Sequence, residues 1–579
     1  MGNYRNFSLA TYFVAHAAAT VTREELERQL CWMERYLRLD KVYLEPWRGE
    51  LASHEQVEMC KEVFAAHGIR VEGGLTTVIP TPEGAKPKAR LFNTFCYNDP
   101  VMRAKLREVS AFTAAHFDAF MLDDFFFTNC MCEDCIREKE AFNRAHGITD
   151  GSWERYRLDL LRRVSEEDIL APARAANPAC KVTIKYPNWA ESYQETGYNP
   201  AEQREMFDGI YTGTETRDPV TTDQHLPRYL SFSLMTYFEA MCPGRNGGGW
   251  FDNFDTHITE HYLEQAYLTA FSKPRELMVF CFQSMTDHMY TPALGYQLDK
   301  LDVLLDHAGQ PAGIACYLPD NSQGEDNLQD FLGMNGLPVV CTPYFPAEAD
   351  QILLTRAAAR DPEVFEKLEA YVRGGGTAIV TAGFHEAVGT AGMTSIRLRG
   401  RRMTAERYRV EAAGRPVCTF PAGVRPVTLP VAEFRNNATW AVVKAARGEE
   451  SCGILLRDDY GDGHLWTLVA PDAFPDLYQF PAPVWSRIRQ AFPVGGVWLE
   501  GPARISLFVY DNGTFIVYPY VMEGVQREKI RLHVRGAAAL TVPGEKPRRL
   551  EPVSREGEEA VFEVYAQPGQ YVLYRIERA

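Results

Sequence analysis

The segment KVYLEPWRGELASHEQVEMCKEVFAAHGIRVEGGLTT, residues 41–77, decides the fold. It reads as a strand (41–46), an amphipathic helix (54–67) and a second strand (70–77), and the same unit recurs on both sides of it. Upstream lie a strand, SLATYF (8–13), and a helical pattern over 22–37. Downstream, strands are predicted at DAFMLDD (118–124), KVTIKYP (181–187), DGIYTGTE (208–215), FSLMTYFEA (232–240) and ELMVFCFQ (276–283). Helical patterns fill the gaps, over 100–116, 133–145 with 153–175, 200–206, 257–272 and 291–307. Eight strand-then-helix units in about 300 residues is the count of a closed (β/α)8 TIM barrel. No glycine-rich dinucleotide fingerprint follows the first strand, which argues against a doubly wound open sheet. The stretch FSLATYFVAHAAAT (7–20) has the outline of a signal peptide, but Tyr12 and His16 interrupt it, so it is read as the first barrel strand.

Beyond this barrel domain (1–310), residues 311–495 read as a smaller Rossmann-like α/β domain. GIACYLP, LPVVCTPYFP and TAIVTAGF are its buried parallel strands, and EVFEKLEAYVRGGG (363–376) is a helix stopped by three glycines. Residues 395–470 turn β-rich within it, and it carries neither a nucleotide loop nor a nucleophile elbow. The remainder, 496–579, alternates strands with Gly/Asn turns, as in ISLFVYDNGTFIVYPYV, and reads as a small β-sandwich.

The composition narrows the partners. Of 579 residues 61 are Lys or Arg and 77 Asp or Glu, a net charge of −16 that repels a nucleic-acid backbone. No run of 18 apolar residues is present, so no membrane-spanning helix is expected. Most of the thirteen cysteines stand singly in apolar runs, Cys281 in MVFCF for example, which is the pattern of a reducing, cytoplasmic compartment.

In a barrel of this kind, chemistry collects at the carboxyl ends of the strands. Those ends carry Glu45 and Trp47, then Asp123 and Asp124, then Lys185, Tyr186, Asn188 and Trp189, then Glu215 and Arg217, then Trp250 and Asp252 in the loop assigned to the seventh strand. Carboxylates and amides that bond hydroxyls, with flat rings that cover C–H faces, suit a neutral polyhydroxy ligand and not a phosphate. Strand alternation turns Met121 and Asp123 toward the barrel axis, and likewise Tyr211 and Glu215. Two facing acids are the minimum for glycoside hydrolysis: one protonates the leaving oxygen and the other attacks or activates water. Asp123 or Asp124 is therefore expected as nucleophile and Glu215 as general acid/base. Glu45, Trp47, Lys185, Tyr186, Asn188, Trp189, Tyr211, Arg217, Trp250 and Asp252 are expected to line the sugar pocket.

The run Cys130-Met-Cys132-Glu-Asp-Cys135 follows the fourth strand directly, and C-x-C-x₂-C among solitary cysteines points to a soft metal. Cys96 is the best fourth ligand, with His or Asp as alternatives. A closed four-thiolate site leaves no position for water, so the expected zinc is structural and plays no part in the reaction.

The order of domains, the segment EVFEKLEAYVRGGGTAIVTAG (363–383) and the Cys96 … Cys130-x-Cys132-x₂-Cys135 spacing together resemble the family 42 β-galactosidases of the glycoside hydrolases. That resemblance implies a trimerisation-like middle domain, hence a dimer or trimer, and a zinc cluster beside the active site. It also implies an Asn-Glu pair at the end of strand four and a nucleophilic Glu at the end of strand seven. Here the pair is Asp123-Asp124, and Glu239 lacks that context, so the chain reads as a divergent relative. Acids on strands four and six look more like retaining α-glycosidase barrels. The expected function is an exo-acting glycoside hydrolase of an oligosaccharide or other glycoside. A non-catalytic carbohydrate-binding scaffold and a metal-dependent hydrolase are the alternatives.

Overall fold

The computed structural model describes residues 3–218, 221–222, 224, 226–412, 415–423, 425–544 and 546–578. Its first part is a closed parallel barrel of eight strands: β1 (Ser8–Phe13), β2 (Lys41–Leu44), β3 (Arg70–Leu75), β4 (Ala119–Leu122), β5 (Lys181–Tyr186), β6 (Gly209–Gly213), β7 (Asn246–Asp252) and β8 (Glu276–Phe280). β1 closes the ring by pairing with β8, Ser8 opposite Glu276. The side chains of Ala10, Tyr12, Tyr43, Met121, Tyr211, Trp250 and Met278 fill the interior. Because side chains alternate along a strand, Asp123, two residues beyond Met121, shares the inward face.

The seventh strand differs from the sequence reading. FSLMTYFEA forms no strand; it lies in the helix Leu230–Met241, and β7 is the segment taken as its loop. A continuous apolar run is compatible with a buried strand or a buried helix, and periodicity does not separate them. This helix is buried nearly all round, which is why it lacks an amphipathic pattern. The glycines of β7 concealed the strand, yet each serves close packing. A Cβ on Gly248 would come within 2.2 Å of the Glu276 carbonyl oxygen on β8, and one on Gly247 within 2.9 Å of the Tyr211 ring on β6.

The chain divides into two units by its internal contacts: Met1–His225 with Cys242–Asp302, and Leu226–Met241 with Val303–Ala579. The second unit therefore includes the Leu230–Met241 helix. Tyr229, just before it, stacks on Phe508 (ring centroids 5.2 Å apart) and donates a hydrogen bond to the Val339 carbonyl at 3.0 Å. In this unit the parallel strands Ile314–Tyr317, Val339–Thr342, Gln351–Leu354 and Thr377–Thr381 share one sheet of nine strands with the antiparallel strands of the β-rich stretch, such as Thr439–Arg447 and Glu450–Tyr460. Two further sheets, of four and six strands, enclose a core that includes Leu499, Leu507, Phe515, Leu532, Phe562 and Tyr574. No helix among the described residues is long and apolar enough to cross a membrane.

Candidate active site

The carboxyl ends of the barrel strands converge on one buried ammonium. Lys185 of β5 lies 2.5 Å from Asp124 Oδ2, 3.3 Å from Glu215 Oε1 and 3.8 Å from Asp123 Oδ1. Its Nζ also sits 4.0 Å from the centroid of the Trp250 ring. The Asp123 backbone N–H extends the β3–β4 ladder to the Leu75 carbonyl (2.9 Å), which sets the direction of its side chain. Asp123 Oδ2 then accepts from Arg48 and from the Thr76 hydroxyl, both at 3.1 Å, and Oδ1 accepts from the Asp124 backbone N–H at 2.8 Å. Glu215 lies two residues beyond β6. A Cβ at Gly213 would come within 2.9 Å of Glu215 Oε2, so the glycine leaves the carboxylate its room. Asn188 donates to the Glu215 carbonyl oxygen at 2.5 Å and fixes the loop from behind. Asp252, the last residue of β7, is held through both oxygens by Arg217, at 2.9 and 2.7 Å.

These neighbours drive the acids apart. Burial raises Asp123, but Lys185 and Arg48 outweigh it and hold its carboxyl below the ordinary range. Burial pushes Asp124 up to about 8, against Lys185 and with the charges of Asp123 and Glu215. Burial likewise raises Glu215; Lys185 opposes the shift and the charge of Asp252 adds to it. Lys185 itself is raised, because three carboxylates outweigh the cost of its burial. The result is one acid biased toward the ionised form and two biased toward the protonated form around a single cation.

These groups line a cavity of about 690 Å³ together with Arg48, Asn188, Trp189, Arg217, Trp250 and Asp252. Four residues expected to line it lie elsewhere. Glu45 is fully buried beneath the rim and receives bonds from Tyr12 (3.0 Å), Arg48 (2.9 Å), the Ala15 N–H (2.9 Å) and Thr76. It anchors Arg48. Trp47 donates its indole N–H to the Val78 carbonyl (3.0 Å), away from the cavity. Tyr186 bonds Gln203 (3.2 Å) in a buried tyrosine cluster, and Tyr211 bonds Glu276 (3.1 Å) one layer deeper in the barrel. Glu239 lies in the helix of the second unit and not at the end of a barrel strand. Missed from sequence were Arg48 and the phenylalanines Phe92, Phe254 and Phe280; Phe125 and Phe127, which directly follow the strand-four acids, line the cavity with them. Arg48 stands three residues after Glu45, and that position at a strand end was its only signal.

The four cysteines come together. Cys96 Sγ lies 3.9 Å from Cys132 Sγ and 3.7 Å from Cys135 Sγ, Cys132 and Cys135 are 3.5 Å apart, and all four sulfurs including Cys130 fall within 4.8 Å of one another. A disulfide needs about 2.05 Å, whereas sulfurs at about 2.3 Å from a tetrahedral zinc sit about 3.8 Å apart. The donor set and spacing fit such an ion. Asn98 Nδ2 points at Cys135 Sγ (3.2 Å) and Lys88 Nζ at Cys96 Sγ (3.4 Å), outer bonds that suit thiolates.

The family model described as "Probable glycosyl hydrolase, catalytic domain" matches residues 1–298, more than half of the chain and the whole of this site. The chain belongs to this glycosyl hydrolase family. Residues 496–576 of the glycosyl hydrolase match the corresponding "Probable glycosyl hydrolase, C-terminal domain", and 309–413 match "Uncharacterized protein SSO3021, second domain". The chain is 23% identical over 510 residues to uncharacterized protein SSO3021 of Saccharolobus solfataricus, covering 82% of this chain and 83% of that one. In fold it is similar to a catalytic mutant of Gan42B, a GH42 β-galactosidase from G. stearothermophilus (TM-score 0.63, 13% identity, 100% of both chains). It is also similar to the exo-β-1,4-mannosidase Op5Man5 from Opitutaceae bacterium strain TAV5 (TM-score 0.51, 12% identity, 80% of this chain and 92% of that one). The expected family-42-like architecture is thus met at the level of fold, with the sequence far diverged.

Proposed function

We propose that this glycoside hydrolase is exo-acting and retaining, with Asp123 as nucleophile and Glu215 as general acid/base. The observation that carries the reading is the split environment of the two carboxylates that line one cavity. A nucleophile must be ionised and an acid must hold its proton at working pH, and pairs pushed in opposite directions divide the roles. Asp123 and Asp124 are adjacent in the chain and cannot flank a sugar from two sides, so Asp124 positions the substrate or Lys185. Both Asp123 and Glu215 reach Lys185 Nζ, at 3.8 and 3.3 Å, which brings the two carboxylates to one site, as a two-carboxylate mechanism requires. A pocket closed by the barrel interior favours removal of a terminal sugar. The neighbours' names, a β-galactosidase and a β-mannosidase, make those sugars the first to test.

A screen of 4-nitrophenyl glycosides of both anomers is expected to find turnover, and proton NMR of the first product to find the substrate's anomeric configuration. Inversion would remove Asp123 from the role of nucleophile. The pH profile follows from the shifts. Activity falls on the acid side only as Asp123 protonates, below the ordinary Asp range, and on the alkaline side as Glu215 loses its proton, above the ordinary Glu range. Glu215→Gln is expected to abolish the alkaline limb and Asp124→Asn to keep it; the opposite result assigns the acid to Asp124.

We further propose that Cys96, Cys130, Cys132 and Cys135 hold a structural zinc, which would clasp the loop after β3 to the loop after β4. Elemental analysis is expected to find about one zinc per chain, and Cys135→Ser to lose it with a fall in Tm of about 5 °C or more. A metal-free protein with unchanged Tm in that variant overturns the assignment. The buried free thiols Cys60, Cys180, Cys242, Cys316, Cys341 and Cys452 support a reducing compartment.

A further inference from the structure

The acids account for the floor of the cavity and not for its mouth. At the floor, Trp250 covers Lys185 and stacks on Phe280 with ring centroids 4.7 Å apart, above the packed barrel interior. A sugar seated between Asp123 and Glu215 therefore directs its leaving group outward.

Three phenylalanines form an apolar face at the mouth, which also carries the exposed polar residues His16, Glu50 and Gln224. Phe92 is 62% exposed, Phe254 is 44% exposed and Phe125 is half-buried, and all three line the cavity. Phe92 and Phe125 meet edge to face with centroids 5.6 Å apart, and the Arg48 guanidinium lies 5.4 Å from the Phe125 centroid. A phenyl ring offers no hydrogen bond, and the edge-to-face pair of Phe92 and Phe125 presents a flat apolar face that a planar aromatic group covers more fully than a puckered sugar does.

The turn that presents Phe92 is tied on both sides. The Ile79 N–H donates to the Asn93 carbonyl at 2.8 Å, Arg90 donates to the carbonyls of Asn93 (3.2 Å) and Ile79 (3.1 Å), and the Leu91 N–H donates to Asn129 Oδ1 at 3.0 Å. Phe92 and Asn93 both adopt the left-handed conformation, with φ of 51° and 55°. For a residue such as phenylalanine this costs about 1 kcal/mol or more, which the surrounding bonds must offset. The backbone is thus fixed while the ring is left in solvent at the mouth.

We propose that Phe92, with Phe125, is the platform for an aryl leaving group, so that the substrates are glycosides of aromatic alcohols. This rests on the glycosidase reading above. The test is calorimetric binding to the full-length protein of methyl and benzyl 1-thioglycosides of galactose, glucose and mannose in both anomers, which needs no turnover. For the sugar that binds, the benzyl compound is expected to bind about tenfold more tightly than the methyl compound. Phe92→Ala is expected to bring the pair to within about twofold, and Phe92→Trp to restore the gap. Leu91→Ala, on the same turn but outside the cavity lining, should leave the ratio as it is in the wild type. Equal binding within every pair, or a gap that survives in Phe92→Ala and in the double variant with Phe125→Ala, overturns the proposal. A gap that Phe92→Ala closes, in a protein that turns over no glycoside, keeps the platform and removes the catalytic reading instead.

Discussion

Asp123→Ala is expected to lower kcat for a nitrophenyl glycoside by about a thousandfold to ten-thousandfold, and azide to restore part of it. The sign of the product identifies the role. Without its nucleophile the enzyme lets a small anion enter from the vacated side, giving a glycosyl azide of the opposite configuration to the substrate. Glu215→Ala removes the acid/base instead. The glycosyl-enzyme still forms when the leaving group needs no proton, and azide then attacks it to give the substrate's own configuration. A nitrophenyl substrate therefore loses less in Glu215→Ala than a substrate with a poor leaving group. Equal azide products from both variants, or full activity in Asp123→Ala, would end the assignment. Asp123 is held by Arg48, Thr76 and the Asp124 N–H from three directions, so the alanine variant needs a folding check by circular dichroism.

Lys185→Met is the second large effect, and it acts on stability as well as on rate. The methionine fills similar volume but leaves Asp123, Asp124 and Glu215 facing one another without the ammonium they share. Removing one partner of a buried charge cluster costs about 3–5 kcal/mol. The sign with pH follows from Asp123. Its folded pKa is depressed, so its contribution is present above the ordinary carboxylate pKa and is lost as pH falls through its own lower value. In the variant burial raises the acids unopposed by Lys185. The deficit in chemical denaturation is therefore largest at neutral pH, shrinks as pH falls through the raised range of the variant's acids toward the ordinary carboxylate range, and shrinks further as wild-type Asp123 protonates at its own lower value. A deficit that does not change with pH would mean that Lys185 acts by packing over Trp250 and not by charge.

The barrel was legible because eight strand-then-helix units leave two periodicities in the chain, 2 and 3.6, and a closed parallel sheet must alternate them. The cysteine cluster was legible because its ligands are close in sequence, and the inward face of β4 because Met121 and Asp123 differ by two. β7 was not legible. Its three glycines suppress strand character in order to let β6 and β8 approach, while the helix Leu230–Met241 has no polar face to mark it as a helix.

Residue type and alternation along each strand are local properties, and they sufficed for the barrel class, for placing Asp123, Asp124 and Glu215 at the carboxyl ends of their strands, and for the gathering of the four thiols. Depth and partnership are not local. Trp47, Tyr186 and Tyr211 have the chemistry of sugar-binding residues, but the tertiary fold sets them beside Val78, Gln203 and Glu276 instead. The meeting of Lys185 with three acids from two other strands, and the charge state each acid takes from it, arise from side chains up to 62 residues apart in sequence brought within 3.8 Å, a distance that only the closed sheet imposes.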